Sequence, residues 1–205
     1  MKSIAAFIGS VLIATGVLAN DMAPDVLIKS VSSEVLEIVR TDKDIRSGDA
    51  KKAMDLVEKK IAPNFDFLHM TRLALGRDWR QANAEQQKAL ANEFQILLVR
   101  TYSRALTEYK NQTIDIKPLS LKTGETDAKV RSEIKQPGAQ SIQLDYYLQK
   151  SNAGWKIYDI EIAGISLVTN YRESFAREVR TSGIDGLIKS LQTKNRSGDT
   201  VAIKK

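Results

Sequence analysis

The sequence of 205 residues contains no cysteine and only one histidine, His69, and both features restrict its chemistry. Without cysteine there is no disulfide, no thiol nucleophile and no acyl anchor on an N-terminal cysteine. With a single histidine as well, a zinc site is nearly excluded. The sequence also lacks a Gly-x-Ser-x-Gly elbow, a phosphate-binding glycine loop and an Asp-rich calcium loop. We therefore expect no catalytic residues, no metal and no cofactor.

An excess of one charge is also nearly missing. The chain has 31 Lys and Arg residues against 25 Asp and Glu residues, which gives a net charge of +6. Acidic and basic residues are interleaved, and this pattern is typical of a solvated surface. Nucleic acid is therefore not an expected partner.

Long apolar runs are absent except at the N-terminus. Lys2 precedes an apolar stretch over residues 4–18, and small residues lead up to Asn20. This pattern predicts a secretory signal peptide over residues 1–19, cleaved after Ala19. The stretch is shorter than the roughly 20 apolar residues of a membrane-spanning helix. An uncleaved anchor is the alternative.

Helical periodicity dominates the first half of the chain. Apolar residues recur at spacings of three and four over residues 26–39 and 53–61, and Pro63 is expected to end the second stripe. A short third segment begins near Phe65, and Gly76 is expected to end it in a left-handed cap.

The longest helix is predicted over residues 83–109, where Asn83 and Gln86 have the spacing of a capping box. After a change of period, a helical stripe returns over residues 168–191 and is interrupted at Gly183. No heptad seam is present, so a monomer is the expected state.

Between these helices the apolar period changes from 3.6 to 2, which predicts four strands joined by short turns. The strands are expected at residues 114–116, 129–135, 142–149 and 155–162. Such a meander predicts an antiparallel sheet with one apolar face. Asp145 and Asp159 are assigned to its polar face.

The order of helices, then sheet, then helices predicts an α+β fold. We expect one domain over residues 20–193. Residues 194–205 form a polar, basic tail that is expected to be disordered.

Several segments together resemble one family by their order and spacing over residues 26–191. They include Phe65-Asp66-Phe67, Ala74-Leu75-Gly76, Trp79-Arg80-Gln81-Ala82, Thr101-Tyr102, Trp155-Lys156-Ile157-Tyr158-Asp159, Gly164-Ile165-Ser166-Leu167-Val168 and Gly183-Ile184-Asp185-Gly186-Leu187. The chain resembles MlaC, the periplasmic phospholipid shuttle of the system that maintains outer-membrane lipid asymmetry, also known as the toluene-tolerance auxiliary family. Ile165 stands where that family more commonly has valine.

The resemblance implies a helical layer packed on a strongly curved four-stranded antiparallel sheet, cone-like with a deep apolar cavity. It implies a soluble periplasmic carrier with phospholipid as bound cargo. The implied partners are an outer-membrane lipoprotein–porin complex and an inner-membrane substrate-binding protein linked to an ABC transporter.

Aliphatic and aromatic residues of the predicted sheet and helices are the expected lipid-binding residues. On the sheet these are Ile114, Ile116, Val130, Ile134, Leu144, Tyr146, Leu148, Ile160 and Ile162. On the helices they are Phe94, Leu97, Leu98, Tyr102, Val168, Tyr171 and Phe175.

Two alternatives remain open at this stage. One is an enzyme of the same cone-like fold, which would need an acid–base pair such as His69 with Asp145 or Asp159. The other is a structural periplasmic adaptor in which the apolar stripes simply pack on one another and fill the interior. Without the family resemblance, a filled interior is the simpler interpretation.

Overall fold

The computed structural model describes residues 22–197, so the predicted signal peptide lies outside the described residues, as do residues 198–205 of the predicted tail. Within this range, helices flank an antiparallel sheet in the order expected for an α+β fold. The strong curvature and cone-like outline of the sheet remain predictions.

The N-terminal region contains three helices. Helix α1, Pro24–Thr41, begins with Pro24, whose fixed φ suits the first helical turn. Helix α2, Lys43–Arg46, and helix α3, Ala50–Leu56, are each preceded by an aspartate whose side chain accepts hydrogen bonds from the first turn.

The helical path does not end before Pro63 as the sequence suggested. It continues from α3 as a π-helical turn, Val57–Ile61, and then as a 3-10 turn, Ala62–Asn64. Pro63 lies within the first two positions of this 3-10 turn, where its missing N–H costs no hydrogen bond.

Two further helices lead into the sheet. Helix α4, Phe67–Leu75, is capped by Asp66 and ends before Gly76, as expected. Gly76 does not form the expected left-handed cap, because its φ of 57° is combined with a ψ of −120°, a conformation that suits glycine but is not left-handed helical. After a 3-10 segment, Gly76–Gln81, helix α5 runs over Ala84–Thr107 and has the predicted capping box at Asn83.

The sheet has five strands in sequential antiparallel order, not four. They are β1 Thr113–Ile116, β2 Asp127–Lys135, β3 Ile142–Ser151, β4 Gly154–Ile162 and β5 Ile165–Ser166. The extra strand pairs with β4 across a tight turn in which Ala163 and Gly164 both have positive φ. With only two residues, β5 is too short to show alternation in the sequence.

A β-bulge in β4 changes which side chains share a face. Tyr147 lies opposite Asp159, whereas Leu148 lies opposite Ile157, so Tyr158 is an extra residue. Simple alternation would place Ile157 and Ile160 on opposite faces, but the bulge brings both to the same apolar face.

Helix α6, Leu167–Ser197, reverses direction at Gly183, which has φ 72° and ψ −174°. Its first arm runs antiparallel to α5, because Tyr171 near the start of the arm lies beside Tyr102, and Asp185 just beyond its end meets Gln86. Its second arm returns along α5, as the hydrogen bond of Gln86 to Asp185 shows at its start.

The end of the second arm corrects the expected boundary of the tail. Residues 194–197 continue α6, and Asn195 is buried against α5. Its side-chain amide donates to the backbone oxygen of Glu93 at 2.9 Å, and Arg100 donates to its backbone oxygen. These contacts order four residues that were expected in the tail.

Three apolar clusters hold the elements together. The helical core lies between α4, α5 and α6 and includes Met70, Leu90, Phe94, Leu97, Tyr171 and Phe175. The sheet cluster joins Ile28 of α1 to Ala128, Val130, Tyr146, Leu148, Trp155 and Ile157. The N-terminal cluster joins Val35 and Val39 of α1 to Ile45 and Leu56.

Candidate functional site

A cavity of about 750 Å³ lies between α1 and the apolar face of the sheet. Helix α1 is anchored toward one end by Ile28 in the sheet cluster and toward the other by Val35 and Val39 in the N-terminal cluster. Ile28, Val35 and Val39 also line the cavity, which therefore extends along the apolar side of α1. Its size falls within the usual range for small-molecule sites, about 300 to 1,000 Å³.

The wall of the cavity is mainly aliphatic. Helix α1 contributes Leu27, Ile28, Val31, Val35, Leu36 and Val39. The sheet contributes Ile114, Ile134, Ile142, Leu144, Tyr146, Ile157 and Ile160, and the remaining apolar wall comes from Ile61, Phe65, Ala105, Leu106 and Tyr109. A surface of this kind can hold hydrocarbon without leaving a polar group unsatisfied.

Polar side chains collect at one end of the cavity. They follow the end of α5, the start of β1 and the end of β2, and they are Glu108, Lys110, Gln112, Thr113 and Gln136. Thr113 lies opposite Lys135 in the sheet, so these segments meet at the same end. We call these five residues the polar rim. A cavity with an apolar wall and a polar rim suits an amphipathic ligand.

The apolar wall also contains the hydroxyl groups of Ser32 on α1 and Tyr146 on β3. Burial raises the pKa of Tyr146 to about 12, although hydrogen bonding with Ser32 and Ser132 opposes this. Tyr146 is therefore neutral at physiological pH. The wall presents hydroxyl groups to a ligand but no charge at this position.

Five of the sixteen residues expected to bind lipid lie on the cavity wall, and all five come from the sheet. They are Ile114, Ile134, Leu144, Tyr146 and Ile160. Of the other sheet residues, Val130 and Leu148 are fully buried in the sheet cluster and Ile116 packs against it. Ile162 pairs with Leu144 and Ile165 at the edge of the sheet.

The seven helical residues lie in the helical core and not on the wall of this cavity. They are Phe94, Leu97, Leu98, Tyr102, Val168, Tyr171 and Phe175. The rings of Phe94, Tyr171 and Phe175 pack within 5.6 Å of one another and fill the space between α5 and α6. Contact of these residues with lipid remains a prediction.

The sequence-based site missed helix α1, which provides a large part of the wall. The apolar stripe over residues 26–39 was visible as a helix face. Periodicity shows that a helix has an apolar side, but it does not show what that side faces. The stripe was the available signal, and it did not distinguish a packed helix from a cavity wall.

The candidate acid–base residues of the enzyme alternative lie away from the cavity wall. Asp145 lies opposite Arg131 and Glu161 on the polar face, as predicted, but it is only 2% exposed, because Lys129 covers it with an ion pair at 2.8 Å. Burial raises the pKa of Asp159, although hydrogen bonds from Ser166 and two backbone N–H groups counteract this. His69 stacks on Tyr158, at 4.7 Å between ring centroids.

Within residues 22–197, no group of three or more His, Asp or Glu residues is arranged to hold a metal ion. In the same part of the chain, no helix combines the length and apolar character needed to cross a membrane.

The fold agrees with comparisons to known proteins. The family model described as MlaC protein matches residues 29–193. The intermembrane phospholipid transport system binding protein MlaC of Haemophilus influenzae is 24% identical over 93% of this chain and 90% of its own length. The toluene tolerance protein ttg2D of Pseudomonas putida is 22% identical over 79% of this chain and 75% of its own length.

A solved structure is also similar, that of a phospholipid-binding protein from Ralstonia solanacearum in complex with a phospholipid. It is 37% identical, with a TM-score of 0.79, over 86% of this chain and 99% of its own. The match of the family model covers most of the chain, from the middle of α1 to the second arm of α6. The protein therefore belongs to the MlaC family.

Proposed function

We propose that this protein is a phospholipid carrier that holds the acyl chains in the cavity and the head group at the polar rim. The observation that carries the proposal is the aliphatic cavity between α1 and the sheet, with the polar rim at one end. Support also comes from the Ralstonia solanacearum structure, which contains a phospholipid. The ligand would be bound cargo and not a cofactor.

The energetics explain why a carrier needs such a cavity. Exposing two acyl chains of about 16 carbons to water costs on the order of 25 kcal/mol, at about 0.8 kcal/mol per methylene group. A free lipid therefore does not cross an aqueous space at a useful rate. An aliphatic wall replaces the bilayer interior, so that loading and unloading can both lie near balance.

The proposed place of action is the periplasm, where the protein would carry phospholipid between the outer and inner membranes and maintain outer-membrane lipid asymmetry. The proposed exchange partners are an outer-membrane lipoprotein–porin complex and an inner-membrane substrate-binding protein joined to an ABC transporter. Family membership and the predicted signal peptide support this proposal. The energy and direction of transport would come from these partners.

The first test is recovery of the cargo. Protein purified without detergent is extracted with organic solvent, and the extract is analysed by mass spectrometry. We expect phospholipid at about one molecule per chain, because the described cavity is a single connected space. Protein that is folded and repeatedly free of lipid would contradict the proposal.

A matched pair of variants separates a carrier from an adaptor with a filled interior. Ile134 lies half-buried on the cavity wall, whereas Arg131 is exposed on the opposite face of the same strand. In a carrier, Ile134→Trp should occupy the cavity, leave the fold intact and abolish lipid recovery, while Arg131→Trp should retain lipid. Unfolding of the Ile134 variant alone would instead favour the adaptor, because a filled core does not accept the larger ring.

A further inference from the structure

The charges at the polar rim are not balanced. Among the described residues that line the cavity, Lys110 and Glu108 carry charges of opposite sign. Glu108 has a partner, since its carboxylate lies 3.7 Å from Nε of Arg104, one turn earlier in the chain. Within residues 22–197, Lys110 has no carboxylate at ion-pair distance. The rim therefore presents one unneutralised positive charge next to an apolar cavity.

The loop that carries Lys110 is held in place by its own hydrogen bonds. The backbone N–H of Lys110 donates to the side-chain oxygen of Gln112 at 2.7 Å. This contact shapes the short connection between α5 and β1, and it leaves the ammonium group of Lys110 unused. Thr113 and Gln136 add neutral hydrogen-bonding groups to the same rim.

This arrangement suits an anionic head group, and a phosphate diester has the matching chemistry. Each phosphodiester carries one negative charge and two unesterified oxygens, and a lysine ammonium binds such a group as a point charge. The group must also be attached to hydrocarbon, because the space beside the rim is aliphatic. A neutral lipid with the same acyl chains would fill the cavity equally well but would leave Lys110 without a counter-charge.

We propose that Lys110 binds the phosphate of the bound lipid and thereby distinguishes phospholipids from neutral diacyl lipids. The inference rests on the proposed function, since it assumes that acyl chains occupy the cavity. The Lys110 ammonium would contact the phosphate and not the substituent attached to it, so different head groups are permitted. Lys110 is a specificity-determining residue of the rim, and the apolar wall supplies most of the affinity.

A competition experiment tests this assignment. Lipid-free protein is incubated with phosphatidylcholine vesicles that contain equal amounts of phosphatidylglycerol and diacylglycerol with identical acyl chains. The protein is then re-isolated and its bound lipids are quantified. We expect Lys110→Gln to lower the ratio of bound phosphatidylglycerol to diacylglycerol by about fivefold, the upper range for an exposed charge contact. Lys110→Glu should lower it further, and Lys110→Arg should restore it.

Lys88 supplies the matched control, because it is exposed on α5 and does not line the cavity. Lys88→Gln should keep the wild-type ratio of the two lipids. An unchanged ratio in Lys110→Gln, or an equal loss of both lipids, would overturn the assignment. Wild-type protein that takes up no lipid at all, phosphatidylcholine included, would instead contradict the proposed function itself, so the two failures are distinguishable.

A last comparison separates a lipid phosphate from free phosphate. Inorganic phosphate in excess should displace no more phosphatidylglycerol from the wild-type protein than chloride at the same ionic strength. Salt screens both additions equally, since the Debye length is about 3 Å at 1 M. Selective displacement by inorganic phosphate would show that the rim takes the free ion, and it would overturn the proposal.

Discussion

Two apolar regions lie side by side in this protein, the helical core between α4, α5 and α6 and the cavity between α1 and the sheet. Both are built from aliphatic and aromatic side chains. In the helical core, Phe94 makes edge-to-face contacts with Tyr171 and Phe175 at 5.1 and 5.2 Å between ring centroids. Along α1, Val31 and Leu36 face the cavity and are only half-buried.

The difference lies in what each helix meets. Helix α5 is in contact with both arms of α6, so that large side chains enter from two directions and the space is filled. Helix α1 packs against the sheet near one end and against α2 and α3 near the other, and its apolar side borders the cavity. Similar composition therefore gives stability in one region and a ligand site in the other.

The largest difference in stability should appear when one side chain is truncated in the helical core and one on the cavity wall. Phe94→Ala should destabilise the lipid-free protein by about 4 kcal/mol, because Phe94 is fully buried and the change leaves a cavity. Leu144→Ala should cost only about 1 kcal/mol, because Leu144 already borders a cavity. Urea unfolding of both variants measures the difference. Equal losses would show that the two regions do not differ in packing.

The sequence predicted local structure well where a local rule decides it. Helix α5 begins at its predicted cap because Asn83 and Gln86 satisfy each other's backbone N–H groups, which requires only neighbouring residues. The main strands were predicted for a similar reason, since alternation reports a half-buried strand directly. These features depend on few residues close in the chain.

The candidate site was predicted only in part because its shape depends on residues far apart in the sequence. The bulge at Tyr158 moves Ile157 to the cavity face, and no local sequence pattern predicts this bulge. The apolar stripes of α1 and α5 look alike in the sequence, yet the α1 stripe borders the cavity, whereas most of the α5 stripe lies in the filled helical core and only its end reaches the cavity. Whether an apolar face meets side chains or open space is decided by the packing of distant elements.

Removing the lipid should cause the second-largest loss of stability, and this loss should arise in the cavity region alone. A ligand present at about 100 times its Kd stabilises the folded state by about 2.7 kcal/mol. Lipid-free protein should therefore unfold at lower urea concentration than loaded protein. Hydrogen exchange should locate the change, with faster exchange in α1 and unchanged exchange over residues 90–98 of α5, which lie in the helical core and do not line the cavity. Faster exchange spread evenly over both helices would contradict the separation of the two regions.

A smaller loss of stability is expected from a substitution at Gly183, where α6 reverses direction beside the helical core. Gly183 combines φ 72° with ψ −174°, a conformation that is essentially restricted to glycine. No heavy atom lies within 4 Å of a methyl group added there, so Gly183→Ala should cost about 2 kcal/mol through backbone strain alone. Urea unfolding measures this loss, and the neighbouring Ser182→Ala is the control. Equal stability of the two variants would contradict the role of the turn.

The smallest effect concerns His69, which lies outside both apolar regions, on α4 against Tyr158. Burial lowers the pKa of His69 from 6.5, and the nearby Arg72 lowers it further, whereas Asp66 and Asp127 weakly oppose the shift. The folded state therefore prefers the neutral ring. The resulting stability is fully present above the pKa of the unfolded chain, about 6.5, and is lost as the pH falls from there toward the lower folded value.

The measurement is the free energy of unfolding in urea between about pH 8 and about pH 5.5, compared between wild type and His69→Gln. Other groups titrate in both proteins, so only the difference between the two pH profiles reports on His69. Wild type should lose more stability than the variant as the pH falls, while the lipid content of both stays the same, since His69 does not line the cavity. Parallel profiles would mean that the ring is equally solvated in the folded and unfolded chains. A pH-dependent loss of lipid in wild type alone would instead connect α4 to the cavity.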